Sequence, residues 1–132
     1  MKGIVVKKAL IIASLIAGTP AFAQDAPATS GKIVIYRGGG VIGAAVACPV
    51  RYQGKEIVEL GRGKFAEWNV APGRYILTNK TASVEVHVNP GETRYVRCQI
   101  KAGFMSGRAD LQIVDQESYS SAGGLERKDI VQ

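Results

Sequence analysis

Between Lys32 and Asp115 the chain is written in short segments of alternating apolar and polar residues, broken by Gly, Pro and Asn. "SVEVHV" shows the pattern most cleanly: Val84, Val86 and Val88 fall on one side, Ser83, Glu85 and His87 on the other. A period of two lines one face of a strand; helical side chains return to a face only about every 3.6 residues. About seven such segments recur at intervals of roughly eight to twelve residues, and no amphipathic helical stripe interrupts them. The pattern predicts an all-β fold, a small antiparallel β-sandwich of about seven strands.

The segments can be placed one by one. "KIVIYR" is apolar on both sides, as in a strand covered on both faces. "AVACPVRY" puts Val46, Cys48, Val50 and Tyr52 on one face, and Pro49 marks an edge or a bulge because it has no N–H to donate. Gln53-Gly54 suits a tight hairpin into "KEIVEL". "GRG" leads into "KFAEWNV", with Ala66, Trp68 and Val70 on a shared face. "APG" (Ala71 to Gly73) reads as a type II turn into "RYILTNK". "NPGE" turns into "TRYVRCQI", where Val96, Cys98 and Ile100 oppose Tyr95, Arg97 and Gln99. "KAGFMSGRAD" reads as a loop before a last strand, "LQIVD". The predicted organisation is a leader over 24–31, a sandwich over 32–116, and a flexible or partly helical tail over 117–132.

The first 23 residues read as a secretory signal peptide. Lys2, Lys7 and Lys8 precede the apolar run "ALIIASLIAG", which is too short to span a bilayer, and Ala21-Phe22-Ala23 forms an A-x-A site cleaved between Ala23 and Gln24. A periplasmic or secreted bacterial protein is expected, with no stable membrane anchor after cleavage. Three of the 17 Lys and Arg leave with that segment, so 14 face 11 Asp and Glu in the mature chain. So mild an excess is ordinary surface chemistry and argues against nucleic acid as a partner. Two cysteines, Cys48 and Cys98, remain. In an oxidising compartment such a pair reads first as a disulfide, with a pair of buried thiols as the alternative.

"RGGGVIG" matches G-x-G-x-x-G through Gly38, Gly40 and Gly43, the fingerprint of a dinucleotide-binding turn. That turn needs a helix starting within the glycine run, and here a Pro-containing strand and a hairpin follow. Glu56 and Glu59 stand at a ribose-binding distance in sequence but fall on a hairpin strand, and 16 glycines make chance matches easy. No cofactor is expected. The stretch Gly38, Gly39, Gly40, Val41, Ile42 and Gly43 is instead a candidate binding loop, with Val41 and Ile42 as contact residues.

Other chemistry is sparse. The single histidine, His87, points outward beside Glu85, and no residue triplet suggests a metal site. Ser106 follows Gly103 at a spacing that misses the nucleophile elbow by one residue. "NKT" (Asn79 to Thr81) matches a glycosylation sequon by composition alone. Arg51, Lys55, Arg62, Lys64, Arg74, Arg94, Arg97 and Lys101 share solvent-facing positions, where they protect edges or converge on an anionic partner. Tyr75 and Tyr95 are read as packing residues rather than a sugar platform.

The order of "VIYRGGGVIGAA", "VRYQGKEIVELGRGKFAEWNVAPGRYIL", "VEVHVNPGETRYVRC" and "LQIVD" resembles the bacterial family catalogued as domain of unknown function 2846. The resemblance implies an exported envelope protein built as a transthyretin-like (prealbumin-like) or carboxypeptidase-regulatory-like sandwich, with no established activity. Unlike the lipoprotein members, this chain has no cysteine at the mature N-terminus. The expectation that follows is a non-enzymatic binding or accessory module of the cell envelope, partnered by an envelope protein or an anionic envelope polymer. A secreted inhibitor or immunity-type protein is the alternative, and an enzyme on an envelope polymer the third. The sequence leaves the oligomeric state open.

Overall fold

The computed structural model describes residues 29–39, 46–101 and 108–131. The signal segment with Ala23 and Gln24, most of the leader, Gly40 to Gly43 of the candidate loop, and Ser106 lie outside the described residues. The elements run β1 (Gly31–Arg37), β2 (Cys48–Tyr52), β3 (Lys55–Leu60), β4 (Lys64–Val70), β5 (Gly73–Thr78), β6 (Ser83–Val88), β7 (Thr93–Lys101), β8 (Arg108–Val114), α1 (Gln116–Ala122) and β9 (Glu126–Arg127). They build two packed sheets, one of order β8-β7-β1-β4-β9 and one of order β3-β2-β5-β6. Ile33, Ile35, Ala66 and Val96 of the first sheet are fully buried against Val50, Leu60, Leu77 and Val86 of the second. The fold is the expected all-β sandwich.

Two features differ from the sequence reading. The five-stranded sheet is mixed: β1 pairs antiparallel with β4 but parallel with β7, and β9 pairs parallel with β4. After β4 the chain visits the second sheet as β5 and β6 and returns on β1's other flank, so no hairpin forces β7 to reverse against β1. The strand count also rises to nine among the described residues. Arg108 to Asp110, read as loop, open β8 opposite Lys101, Ile100 and Gln99. The two-residue β9 is Glu-Arg, with no apolar alternation to announce it.

β1 is covered on both faces because both of its faces are apolar. Ile33 and Ile35 enter the core, while Val34 and Tyr36 (2% and 1% exposed) face the opposite way, and the Tyr36 ring meets Tyr119 of α1 at 5.1 Å. Its first residue, Gly31, sits where a Cβ would lie 2.2 Å from Val88 Cγ1 and 2.8 Å from the Glu92 carbonyl oxygen. The turn between β6 and β7 thus presses on the start of β1, and the Lys32 N–H donates to Glu92 O at 2.9 Å.

β2 is an interior strand of its sheet, not an edge, yet Pro49 is still accommodated. The ladder to β5 covers only Arg51↔Thr78 and Tyr52↔Leu77, so β5 asks nothing of Pro49. The bulge lies one step on, between Val50 and Arg51 in the β2–β3 ladder. The Ala71–Gly73 turn also departs from type II. Gly73 has φ 157° and already pairs with Val88 as the first residue of β5. The Ala71 carbonyl, which a type II turn directs at the Arg74 N–H, accepts the Tyr75 hydroxyl at 2.5 Å.

The chain's end is docked. Asp115 caps α1 by accepting from Ser118 N–H at 2.8 Å. Glu126 N–H donates to Gly63 O, Lys128 N–H to Phe65 O and Val131 N–H to Ile57 O, so the last residues cross from β4 of one sheet to β3 of the other.

Candidate functional site

Because β2 and β5 part company after two paired positions, a cleft of about 620 Å³ opens between the first half of β2 and the turn that follows β5. Pro49 and Arg51 of β2 line it. One wall is β3, which contributes Glu56 and Glu59; the opposite wall is Asn79, Lys80 and Thr81, backed by Arg108 and Ala109 of β8. Inward alternation sends Cys48 and Val50 to the core, so their neighbours Pro49 and Arg51 face the other way.

The basic wall is held in place by its own backbone. Asn79 is only 9% exposed, and its Oδ1 accepts the N–H groups of Thr81 (3.0 Å) and Ala82 (2.8 Å), an Asx turn that fixes the loop. Thr81 Oγ1 donates to Ala109 O at 2.5 Å and ties the turn to β8. Asn79 Nδ2 faces Cys48 Sγ at 4.0 Å, so the cleft abuts the cross-link between the sheets. That cross-link is a disulfide joining Cys48 of β2 to Cys98 of β7, with Cα atoms 6.6 Å apart and both residues buried. Among the described residues, Arg51, Lys80 and Arg108 enter none of the molecule's ion pairs, and neither do Glu56 and Glu59. The cleft is therefore polarised, acidic on the β3 side and basic on the other.

Of the residues flanking the candidate loop, those that follow it reach the cleft. Val46 and Ala47, which follow the glycine stretch, line the cleft. Before it, Gly38 and Gly39 have open space around them, and Gly38 O accepts the Gly63 N–H at 3.2 Å. Arg37, just upstream, is 3% exposed and donates through Nη1 to the carbonyls of Val46 and Leu60 (3.2 Å for the latter). Its guanidinium thus fastens the end of β1 to both β3 and the approach to β2. Burial, helped by the nearby Arg62 charge, pulls its pKa below the usual value.

Most of the cations picked out in the sequence do not converge. Lys64 pairs with Glu126 at 2.5 Å, Arg74 with Glu85 at 3.3 Å and Lys101 with Asp110 at 3.2 Å. Arg94 donates to His87 O, and Arg97 to Gln112 Oε1. Arg51 alone of that group reaches the cleft. His87 is exposed and lies 2.7 Å from Glu85 Oε2 on the outer surface of β6. Tyr75 packs in a ring cluster with Tyr52 (5.5 Å) and Trp68 (5.5 Å).

Sequence reasoning missed Asn79, Lys80 and Arg108. The available signal was Asn79-Lys80-Thr81 itself, which matches a sequon but is also an Asx-turn tripeptide at the end of a strand. Arg108 gave no signal, because its strand begins inside a segment rich in Gly.

Comparison with protein families matches residues 27–109 to a model described as "Protein of unknown function (DUF2846)". That range holds β1 to β7, the disulfide and the cleft. Searches of the curated proteins and of the solved structures give no match.

Proposed function

The chain belongs to the DUF2846 family, and we propose that it is a periplasmic or secreted, non-enzymatic binding module of the bacterial cell envelope. The observation that carries the reading is the polarised cleft beside the disulfide. Lys80 and Arg108 offer unpaired cationic donors on a wall fixed by the Asn79 turn, and Arg51 of β2 adds a third to the lining. An anionic envelope polymer would set its acidic groups on that wall, away from Glu56 and Glu59. Hydrogen bonds to charged groups contribute about 1.5–3 kcal/mol each, roughly tenfold in affinity or more per cation.

The buried disulfide supports the compartment, since such bonds persist outside the reducing cytosol. No helix of the described residues is long and apolar enough to cross a membrane.

The test is co-sedimentation of the mature chain with purified peptidoglycan sacculi and with lipopolysaccharide, for wild type, a Lys80→Ala/Arg108→Ala double variant, and a Lys128→Ala control. Binding that falls at least tenfold in the double variant and stays unchanged in the control is the expected result. Equal binding by all three overturns the cleft as the site. Capture from envelope extract of one protein in simple ratio, with no retention on either polymer, moves the reading to the inhibitor alternative.

A further inference from the structure

The outer face of the five-stranded sheet carries a second constellation, unconnected with the cleft. Tyr36 of β1, Phe65 of β4 and Tyr95 of β7 form an aromatic slot, and the ring of Tyr119 from α1 sits in it. It stacks on Tyr95 at 5.1 Å and 28°, and stands edge-on to Tyr36 (5.1 Å, 72°) and Phe65 (6.2 Å, 67°). Beneath this ring the floor is polar and unsatisfied. Tyr36 Oη and Arg97 Nε are both buried without a hydrogen-bond partner. Tyr36 and Arg97 are register partners on adjacent strands. They sense each other electrostatically, the Arg97 charge opposing the upward push of burial on the Tyr36 phenol. Arg97 also biases the Tyr36 phenol through hydrogen bonding, and its Nη2 is taken up by Gln112 Oε1 at 2.7 Å, but the atoms Tyr36 Oη and Arg97 Nε complete no hydrogen bond of normal geometry.

A cover that belonged to the fold alone would leave apolar groups beneath it, because sealed polar groups without partners are costly. Tyr119 supplies a ring to the slot but nothing to its floor. The element that brings the ring is also weakly held. α1 has seven residues, buries none of them, and depends on the Asp115 cap at its start. Moreover, the slot residues Tyr36, Phe65, Tyr95 and Arg97 all fall within the family-matched range 27–109, whereas Tyr119 lies beyond it.

We propose that this slot is a binding site for an aromatic ring bearing an anionic group, and that Tyr119 is its built-in occupant, displaced when such a ligand enters. The incoming ring stacks on Tyr95 in place of Tyr119, and its anionic group accepts hydrogen bonds from Tyr36 Oη and Arg97 Nε. Affinity in the intact chain is then the intrinsic affinity reduced by the fraction of molecules with α1 open.

The experiment titrates the mature chain with N-acetyl-L-tyrosine and with its neutral amide, following the backbone amides of Val34 to Tyr36 by NMR. Tyr119→Ala is expected to bind the acid at least tenfold tighter than wild type, and Tyr119→Phe, which keeps a ring in the slot, to match wild type. Gly123→Val, which strains the C-cap of α1 at φ 55° and changes no charge near the slot, should show a smaller gain in the same direction and carries the comparison if Tyr119→Ala does not fold. The amide should bind the opened variant at least tenfold more weakly than the acid. No gain in either variant overturns the displaced-occupant reading. Equal binding of acid and amide overturns the anionic ligand.

Discussion

Breaking the Cys48–Cys98 bond should bring this domain close to its unfolding threshold. The bond closes a loop of 50 residues, and in the chain-entropy account such a closure removes about 4 kcal/mol of freedom from the unfolded chain at 25 °C. A domain of this size is stable by roughly 5–15 kcal/mol in total. The cross-link is thus worth between about a quarter and most of what holds the fold. Its position adds a local effect. It joins β2 to β7 across the core, and β2 is otherwise tied to the rest of its sheet by β3 and a two-residue ladder to β5.

The assay is urea unfolding of the mature chain in three forms: oxidised, reduced, and Cys48→Ala/Cys98→Ala. With a slope of about 2 kcal/mol/M, a loss of about 4 kcal/mol lowers the midpoint by about 2 M. Reduction keeps both sulfur atoms in the core, so a loss that arises in the unfolded state appears almost fully on reduction alone. The alanine pair should fall somewhat further, by the packing it gives up. A reduced protein within about 1 kcal/mol of the oxidised one, beside an alanine pair down by about 4 kcal/mol, would refute the reasoning and assign the effect to packing. Hydrogen exchange on the reduced form should rise first in the β2–β3 hairpin.

Gly31→Ala should cost about 1–3 kcal/mol in thermal or urea unfolding, because the new methyl group meets Val88 and a backbone carbonyl that cannot retreat. Arg37→Met keeps the length of the side chain but strips the donors from Val46 O and Leu60 O; a loss of about 1–3 kcal/mol for each carbonyl left dry is expected from the same measurement. The Glu67 carboxylate is held below its ordinary pKa of 4.5, first by the hydrogen bond from Arg127 and then by the Lys32 charge. Its folded-state pKa lies below the unfolded one, so its contribution is complete above about pH 4.5 and fades as pH falls through the folded value. Stability curves of Glu67→Gln and wild type should therefore converge on the acid side, and a constant gap from pH 7 to pH 3 would contradict this.

The strands β3, β4 and β6 were legible to the residue: β4 and β6 alternate with one face turned inward, while β3 was marked by the glycines at its two ends even though Ile57 and Val58 are buried in succession. The covered nature of β1 was equally plain from "KIVIY", although what covers its second face was not. Tyr119 lies in a polar segment where a single aromatic residue supplies the contact, and no periodicity reports that. β9 escaped for a related reason: it joins β4 by two backbone register positions and by ion pairs of Glu126 with Lys64 and Arg127 with Glu67, none of which leaves a local pattern in a two-residue polar segment. The disulfide followed from two inward-facing cysteines on different strands. The cleft did not, since it arises from where the β2–β5 ladder stops, and the length of a ladder depends on pairing across the fold rather than on local pattern. Most cations chosen by alternation lie on the surface, although Arg97 is half-buried with its Nε fully covered; their acidic partners, such as Glu126 for Lys64, come from distant parts of the chain.

β1 leaves one consequence for the order in which the molecule can be made. It is the first strand to emerge during synthesis and the central one of its sheet, yet its partners follow late. Arg37 waits for Lys64, and Lys32 for Thr93. Until β4 and then β7 arrive, a strand that is apolar on both faces stands with both edges open, which is the description of a segment prone to pair with a copy of itself. Closing a parallel pair across about sixty residues is slow compared with hairpin formation. The nascent domain therefore spends its most vulnerable interval with its most apolar strand already synthesised, and the yield of folded protein depends on how that one strand is kept from its neighbours in the meantime.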